Sequence, residues 1–90
     1  MTKLEQKLIE LGYKVDWTLS WSFLTVAWLK KYEHHQIAIY LDRDTNTIKC
    51  ARVLPITYYS NQQDINTLQQ AFNQLQFDLK ELKEYEQIDL

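Results

Sequence analysis

Hydrophobic residues follow three successive patterns along this chain, and the first is that of a short helix. Leucines recur three or four residues apart near the start: Leu4, Leu8 and Leu11. Thr2 and Glu5 have the spacing of a capping box, in which each side chain binds the backbone amide of the other residue. Gly12 follows at the position where a left-handed residue commonly ends a helix. The pattern predicts a helix from about Lys3 to Leu11.

The second pattern has a period of two and predicts strands. Aromatic and aliphatic residues alternate with polar ones beyond Gly12: Tyr13, Val15, Trp17, Leu19, Trp21 and Phe23. From Leu24 the apolar positions shift by one, so a turn or bulge must change the phase after Leu19. We predict a hairpin near Leu19 to Ser22. One long bent strand is the alternative, because no Gly or Asn supplies the usual hairpin turn.

A second hairpin is predicted further along the chain. A polar segment, Lys30 to His35, connects to a strand from Gln36 to Leu41. The loop from Asp42 to Asn46 is rich in side chains that bond to their own backbone. A return strand from Thr47 to Leu54 then ends at Pro55. Strict alternation puts one set of its residues on the face away from the helices: Thr47, Lys49, Ala51 and Val53.

The third pattern is a long amphipathic helix near the C-terminus. Apolar residues recur in steps of three and four: Ile65, Leu68, Phe72, Leu75, Leu79 and Leu82. A second capping box, Ser60 to Gln63, precedes this stripe, and Phe77 lies on the opposite side of the helix. Packing of the stripe on the sheet is favoured, because the strands need a cover; a coiled-coil seam is the alternative.

Together the patterns predict one α+β domain that comprises residues 1–90. The elements are a helix, a three- or four-stranded antiparallel β-meander and a long C-terminal helix, with both helices on one face of the sheet. Ninety residues fit a single core. Trp17 and Phe72 are expected in that core.

Composition and charge restrict the class of protein. The chain is 46% hydrophobic and 24% charged, with one Gly and one Pro, which favours a folded domain over disorder. A net charge of −2 makes nucleic acid an improbable partner, since phosphate binding normally needs a basic excess. A single cysteine and the absence of a signal segment predict a cytoplasmic protein. The longest apolar run, Phe23 to Leu29, is too short to span a membrane.

Candidate chemical groups do not assemble into a catalytic or metal-binding motif. His34 and His35 are adjacent, so their side chains diverge, and we interpret them as solvated loop residues. Cys50 is interpreted as a small buried strand residue. Asp42 and Asp44 lack the glycine and the distant glutamate of a calcium loop. We therefore predict no enzymatic activity, no cofactor and no metal.

The aromatic residues exceed what one side of a small sheet can bury. Six Tyr, three Trp and three Phe are present, and exposed aromatics commonly anchor protein interfaces. We predict an interaction surface that comprises the following residues: Tyr32, Tyr40, Lys49, Ala51, Val53, Tyr58, Tyr59 and Phe77. An open, apolar sheet face also predicts a homodimer through that face or its edge. Weak nucleic-acid binding through exposed aromatics is the alternative function.

Two stretches of the sequence resemble small accessory proteins of temperate phages and prophages in Gram-positive bacteria. These stretches are TKLEQKLIELGY and SNQQDINTLQQAFNQLQFDLKEL. The helix, sheet, helix order in a short acidic chain is also similar to some anti-CRISPR inhibitors. The resemblance implies a phage accessory context. Within that context, the composition, the missing catalytic groups and the surplus aromatics predict a non-catalytic protein that binds a host or phage protein, with a function in counter-defence.

Overall fold

The computed structural model describes residues 1–55 and 62–86 and confirms the predicted α+β fold. The elements are α1 (Lys3–Glu10), β1 (Lys14–Asp16), β2 (Thr25–Tyr32), β3 (His35–Asp42), β4 (Thr47–Pro55) and α2 (Gln62–Lys83). The four strands form one antiparallel sheet in the order β1-β2-β3-β4. No helix in the described part of the chain has the length and apolar character needed to cross a membrane.

Helix α1 begins and ends where its local sequence predicts. Thr2 and Glu5 form the capping box, with each side chain bound to the backbone amide of the other residue. At the other end, the Gly12 amide donates to the Ile9 carbonyl and the Tyr13 amide donates to the Leu8 carbonyl. This pair of bonds needs a left-handed residue, and Gly12 has a φ of 99°.

The first two strands are connected by a much longer loop than predicted. β1 has three residues, and the alternation that continues to Phe23 lies outside any strand. The chain reverses through residues 17–24 and returns as β2, so the predicted reversal near Leu19 to Ser22 is confirmed and the long bent strand is wrong. Polar side chains bind the backbone of this loop and replace the tight turn that the sequence lacks.

The turn between β2 and β3 is shorter than predicted, whereas the loop between β3 and β4 agrees with the prediction. β2 extends to Tyr32, and the turn between β2 and β3 contains only Glu33 and His34. The interpretation of His35 as a solvated loop residue is wrong, because His35 is fully buried in β3 opposite Tyr32. The loop after Asp42 is confirmed: the Asp42 carboxylate accepts from the Asp44 and Thr45 amides.

A β-bulge at Lys49 changes the phase of β4. Tyr40 pairs with Cys50, whereas Leu41 pairs with Ile48, which leaves Lys49 without an opposing residue on β3. Because the extra residue reverses the alternation, Ala51 and Val53 lie on the same face as Ile48. The predicted placement of Ala51 and Val53 on the face away from the helices is therefore wrong.

Both helices pack on one face of the sheet, here called the helix face. The main core is buried between them and the strands: Leu4, Leu8, Tyr13, Val26, Trp28, Ile37, Ile39, Leu41, Leu75 and Leu82. On α2, the buried residues include Ala71 and Asp78, whereas Phe72 is 41% exposed. Phe72 was expected in the core, and that expectation is wrong. The predicted capping box from Ser60 to Gln63 depends on Ser60, which lies outside the described residues.

A buried polar network fixes α2 against the sheet. The Asp78 carboxylate lies fully buried and accepts from the Tyr13 hydroxyl at 2.7 Å and from the Lys30 ammonium at 3.0 Å. Gln74, one turn earlier, also donates to Asp78 at 3.0 Å. Tyr13 follows α1, Lys30 lies on β2 and Asp78 on α2, so the network joins three parts of the fold.

Tyr13 makes the stability of the fold sensitive to alkaline pH. Burial, followed by the hydrogen bond to Asp78, raises the pKa of the Tyr13 phenol. The unfolded chain releases this proton near pH 10, whereas the folded chain retains it, so the stabilisation is complete below about pH 10 and is lost above it. We expect the free energy of unfolding to fall by about 1.4 kcal/mol per pH unit above pH 10. Urea unfolding of the wild type and of Tyr13→Phe at several alkaline pH values tests this, because the substitution should remove that slope.

Candidate functional site

The second face of the sheet, here called the loop face, is covered by the connection between β1 and β2. Residues 17–24 form this connection, here called the aromatic loop. A small second core forms where the loop meets the sheet: Ala27, Ala38 and Tyr40, with Leu19, Leu29 and Leu54 packed against them. The open apolar face that the sequence predicted is therefore closed by the chain's own loop.

Asp16 organises the first half of the aromatic loop. Its carboxylate accepts from the Thr18 amide at 2.9 Å, from the Leu19 amide at 3.2 Å and from the Thr18 hydroxyl. These bonds favour the charged form, and the bond from the Thr18 hydroxyl contributes most to lowering the pKa of Asp16. The loop thus begins with a local turn that is built on one carboxylate.

Two serines organise the second half. The Ser20 hydroxyl donates to the Asp16 carbonyl at 2.7 Å and accepts from the Ala27 amide at 2.9 Å, so it connects β1 to β2. The Ser22 hydroxyl accepts from the Leu24 and Thr25 amides, both at 3.2 Å. The polar residues that alternate with the aromatics are therefore the scaffold of the loop.

The tip of the aromatic loop displays large apolar side chains to solvent. Phe23 is 83% exposed, Trp17 is 57% exposed and Leu24 is 56% exposed. The rings of Trp17 and Phe23 lie edge to face, with centroids 6.4 Å apart. Trp17 was expected in the core, and this expectation is wrong because its strand ends at Asp16. We name Trp17, Phe23 and Leu24 the apolar tip.

Trp21 lies behind the tip and stacks on the sheet. Its ring is 4.7 Å from that of the buried Tyr40, at an angle of 29°. Arg52 donates to the Tyr40 hydroxyl at 2.8 Å, and the Lys49 ammonium lies 5.9 Å from the centre of the Trp21 ring. More than half of the Trp21 side chain remains exposed. An aromatic platform with two adjacent cations results.

The residues predicted from sequence as one interaction surface lie in several places. Tyr40 is buried beneath Trp21, Lys49 is exposed at the bulge, and Ala51 and Val53 pack on the helix face. The structure brings two other members together, because Tyr32 and Phe77 line one shallow recess beside α2. The remaining two members lie outside the described residues: Tyr58 and Tyr59.

Sequence reasoning missed the apolar tip, although a signal was present. Trp17 and Phe23 fit a strand pattern, and that pattern hid the turn-forming residues between them. Asp16, Ser20 and Ser22 are residue types that bond to nearby backbone and compete with strand pairing. Three such residues in seven positions were the signal for an ordered loop.

The remaining candidate chemical groups are Cys50 and the possible metal ligands, and they do not form a site in the described part of the chain. Cys50 is exposed on β4, so its interpretation as a buried residue is wrong: the bulge at Lys49 turns it away from the main core. Within residues 1–55 and 62–86, no three His, Cys, Asp or Glu side chains converge as possible metal ligands.

Comparison with known proteins found no matching family model, curated protein or solved structure.

Proposed function

We propose that this domain is a non-catalytic protein-binding module and that the apolar tip is its contact site. The observation that carries the proposal is the exposure of Trp17, Phe23 and Leu24 on a loop held by side-chain hydrogen bonds. Aromatic anchors dominate the energetics of protein interfaces, and a pre-organised loop loses little entropy when it binds. The partner is a protein with an apolar pocket that accepts these rings.

The biological setting is proposed from the resemblance of the two sequence stretches to phage accessory proteins. In that setting the partner is a host or phage protein, and binding in counter-defence inhibits it stoichiometrically. The structure contributes to this proposal only the surface through which such binding would occur.

A pull-down with three immobilised proteins tests the proposed function. The wild type, a Trp17→Ser/Phe23→Ser variant and a Phe77→Ser variant are immobilised and exposed to a Gram-positive host lysate. Phe77 is the matched control, because it is an aromatic residue of similar exposure on α2. We expect a partner retained by the wild type and the control but lost by the tip variant. Calorimetry with that purified partner should show at least a roughly 30-fold loss of affinity in the tip variant.

Two results would contradict the proposal. One is a partner that binds the tip variant as tightly as the wild type. The other is self-association: if sedimentation at about 100 μM shows a wild-type dimer that the tip variant does not form, the tip is covered by a second copy.

A further inference from the structure

Four exposed cations surround the loop face of the sheet. Lys14, Lys31 and Arg52 extend from β1, β2 and β4, and strand pairing places all three on this face. Lys49 joins them from the bulge, because its ammonium lies near Trp21. All four are exposed, and none forms an ion pair within the described part of the chain. Their charge is available to an external ligand.

Two carboxylates lie on the same face, against the four cations, and both accept hydrogen bonds from the backbone. Asp16 accepts from the Thr18 and Leu19 amides, and Asp42 accepts from the Asp44 and Thr45 amides. Most other described acids belong to the helices and the residues after α2: Glu5, Glu10, Asp78, Glu81, Glu84 and Glu86. The whole-chain charge of −2 therefore averages over two unlike surfaces.

The arrangement of these cations suits an extended anionic chain. One row of paired residues crosses the sheet from Lys14 to Arg52. Three inter-strand spacings separate their backbones, which corresponds to about 14 Å. Trp21 lies on the same face; Tyr40 stacks beneath its ring, and the Lys49 ammonium lies over the ring, 5.9 Å from its centre. An exposed ring next to a cation matches a nucleotide, which carries a planar base next to a phosphate.

We propose that the outer surface of the loop face, where the aromatic loop covers the sheet, binds single-stranded nucleic acid, with a base stacked on the exposed part of Trp21 and phosphates on the four surrounding cations. Stacking on an aromatic residue together with backbone neutralisation is how sequence-tolerant single-strand binding works. This inference goes beyond the proposed protein contact, because it uses Trp21 and the cations and leaves the apolar tip free.

The test is a fluorescence anisotropy titration with a labelled oligothymidine of about 12 nucleotides. Four neutralised phosphates give a log-log salt slope of about −3, so affinity should fall by roughly 500- to 1,000-fold from ~20 to ~200 mM salt. Lys49→Gln/Arg52→Gln should reduce the slope to about −1.4. Trp21→Ala should weaken binding by roughly 5- to 150-fold.

Two control variants distinguish binding at this site from non-specific attraction to positive charge. Lys3→Gln/Lys7→Gln removes the same charge from α1, which packs on the helix face, and should leave binding nearly unchanged. The Trp17→Ser/Phe23→Ser variant should bind the oligonucleotide like the wild type, even where it loses a protein partner. Circular dichroism verifies that each variant is folded.

Three results would overturn the inference. The first is no anisotropy change with the wild type at ~20 mM salt. The second is an equal loss of affinity in the Lys3/Lys7 and Lys49/Arg52 variants. The third is tighter binding of polyglutamate than of oligothymidine at equal charge concentration, which would identify an acidic protein as the ligand of this face.

Discussion

Replacing Asp78 by alanine is expected to lower the free energy of unfolding by about 3–5 kcal/mol. Asp78 is fully buried, and its carboxylate holds the Tyr13 hydroxyl and the Lys30 ammonium. Without it, a largely buried cation and a buried hydroxyl lose their partner. Urea unfolding followed by circular dichroism measures the loss.

Glu81 provides the matched control for this substitution. It lies on the same helix and pairs with Lys7 at 3.6 Å, but both side chains are partly exposed. Glu81→Ala should therefore cost less than about 1 kcal/mol. Equal losses in the two variants would show that the buried network does not fix α2. In the triple variant Tyr13→Phe/Lys30→Met/Asp78→Leu, most of the lost stability should return, because both charges and the buried hydroxyl are removed together.

The parts of the fold that the sequence predicts are those with local causes. Thr2, Glu5 and Gly12 specify the ends of α1 through bonds that span only a few residues. The loop after Asp42 is likewise specified by a carboxylate that binds amides two and three residues ahead. Because each of these signals acts within one turn, the sequence alone was sufficient to identify them.

The parts that the sequence does not predict depend on distant pairing. The bulge at Lys49 is a property of the match between β3 and β4, and it reverses the faces of Ala51 and Val53. A hydrophobic pattern in β4 alone contains no information about that extra residue. The predicted interaction surface therefore combined residues from opposite faces of the sheet.

The rotation of α2 has a similar explanation. The apolar stripe includes Phe72, yet the helix buries Ala71 and Asp78. Asp78 faces inward because it binds Tyr13 and Lys30, which lie 65 and 48 residues away in sequence. Leu75 and Leu82 of the stripe lie in the core as predicted, but a carboxylate at a core position breaks the binary pattern, so periodicity alone does not predict the rotation that exposes Phe72.

The second large effect is expected at Tyr40, which supports the aromatic loop from below. Tyr40→Ala should lower the free energy of unfolding by about 3–5 kcal/mol, as for other buried aromatics. Tyr40 is fully buried, and its loss removes the surface on which Trp21 stacks. The Trp21 and Ser22 amides, which donate to the Thr25 carbonyl at the start of β2, should lose order as a result. Chemical denaturation measures the stability, and NMR relaxation at the Trp21 and Ala27 amides measures the order of the loop.

Two controls make the Tyr40 prediction specific. Tyr40→Phe retains the stacked ring and removes only the hydroxyl that accepts from Arg52, so it should cost about 1 kcal/mol and leave the loop ordered. Phe72→Ala removes an aromatic ring that the sequence pattern assigns to the core but the structure exposes, and it should cost much less than Tyr40→Ala. Tyr40→Ala could instead lower stability and leave the Trp21 amide as ordered as in the wild type. That result would show that the loop is held by its own hydrogen bonds alone. In that case the stacking of Trp21 on Tyr40 would contribute to the core and not to the display of the apolar tip.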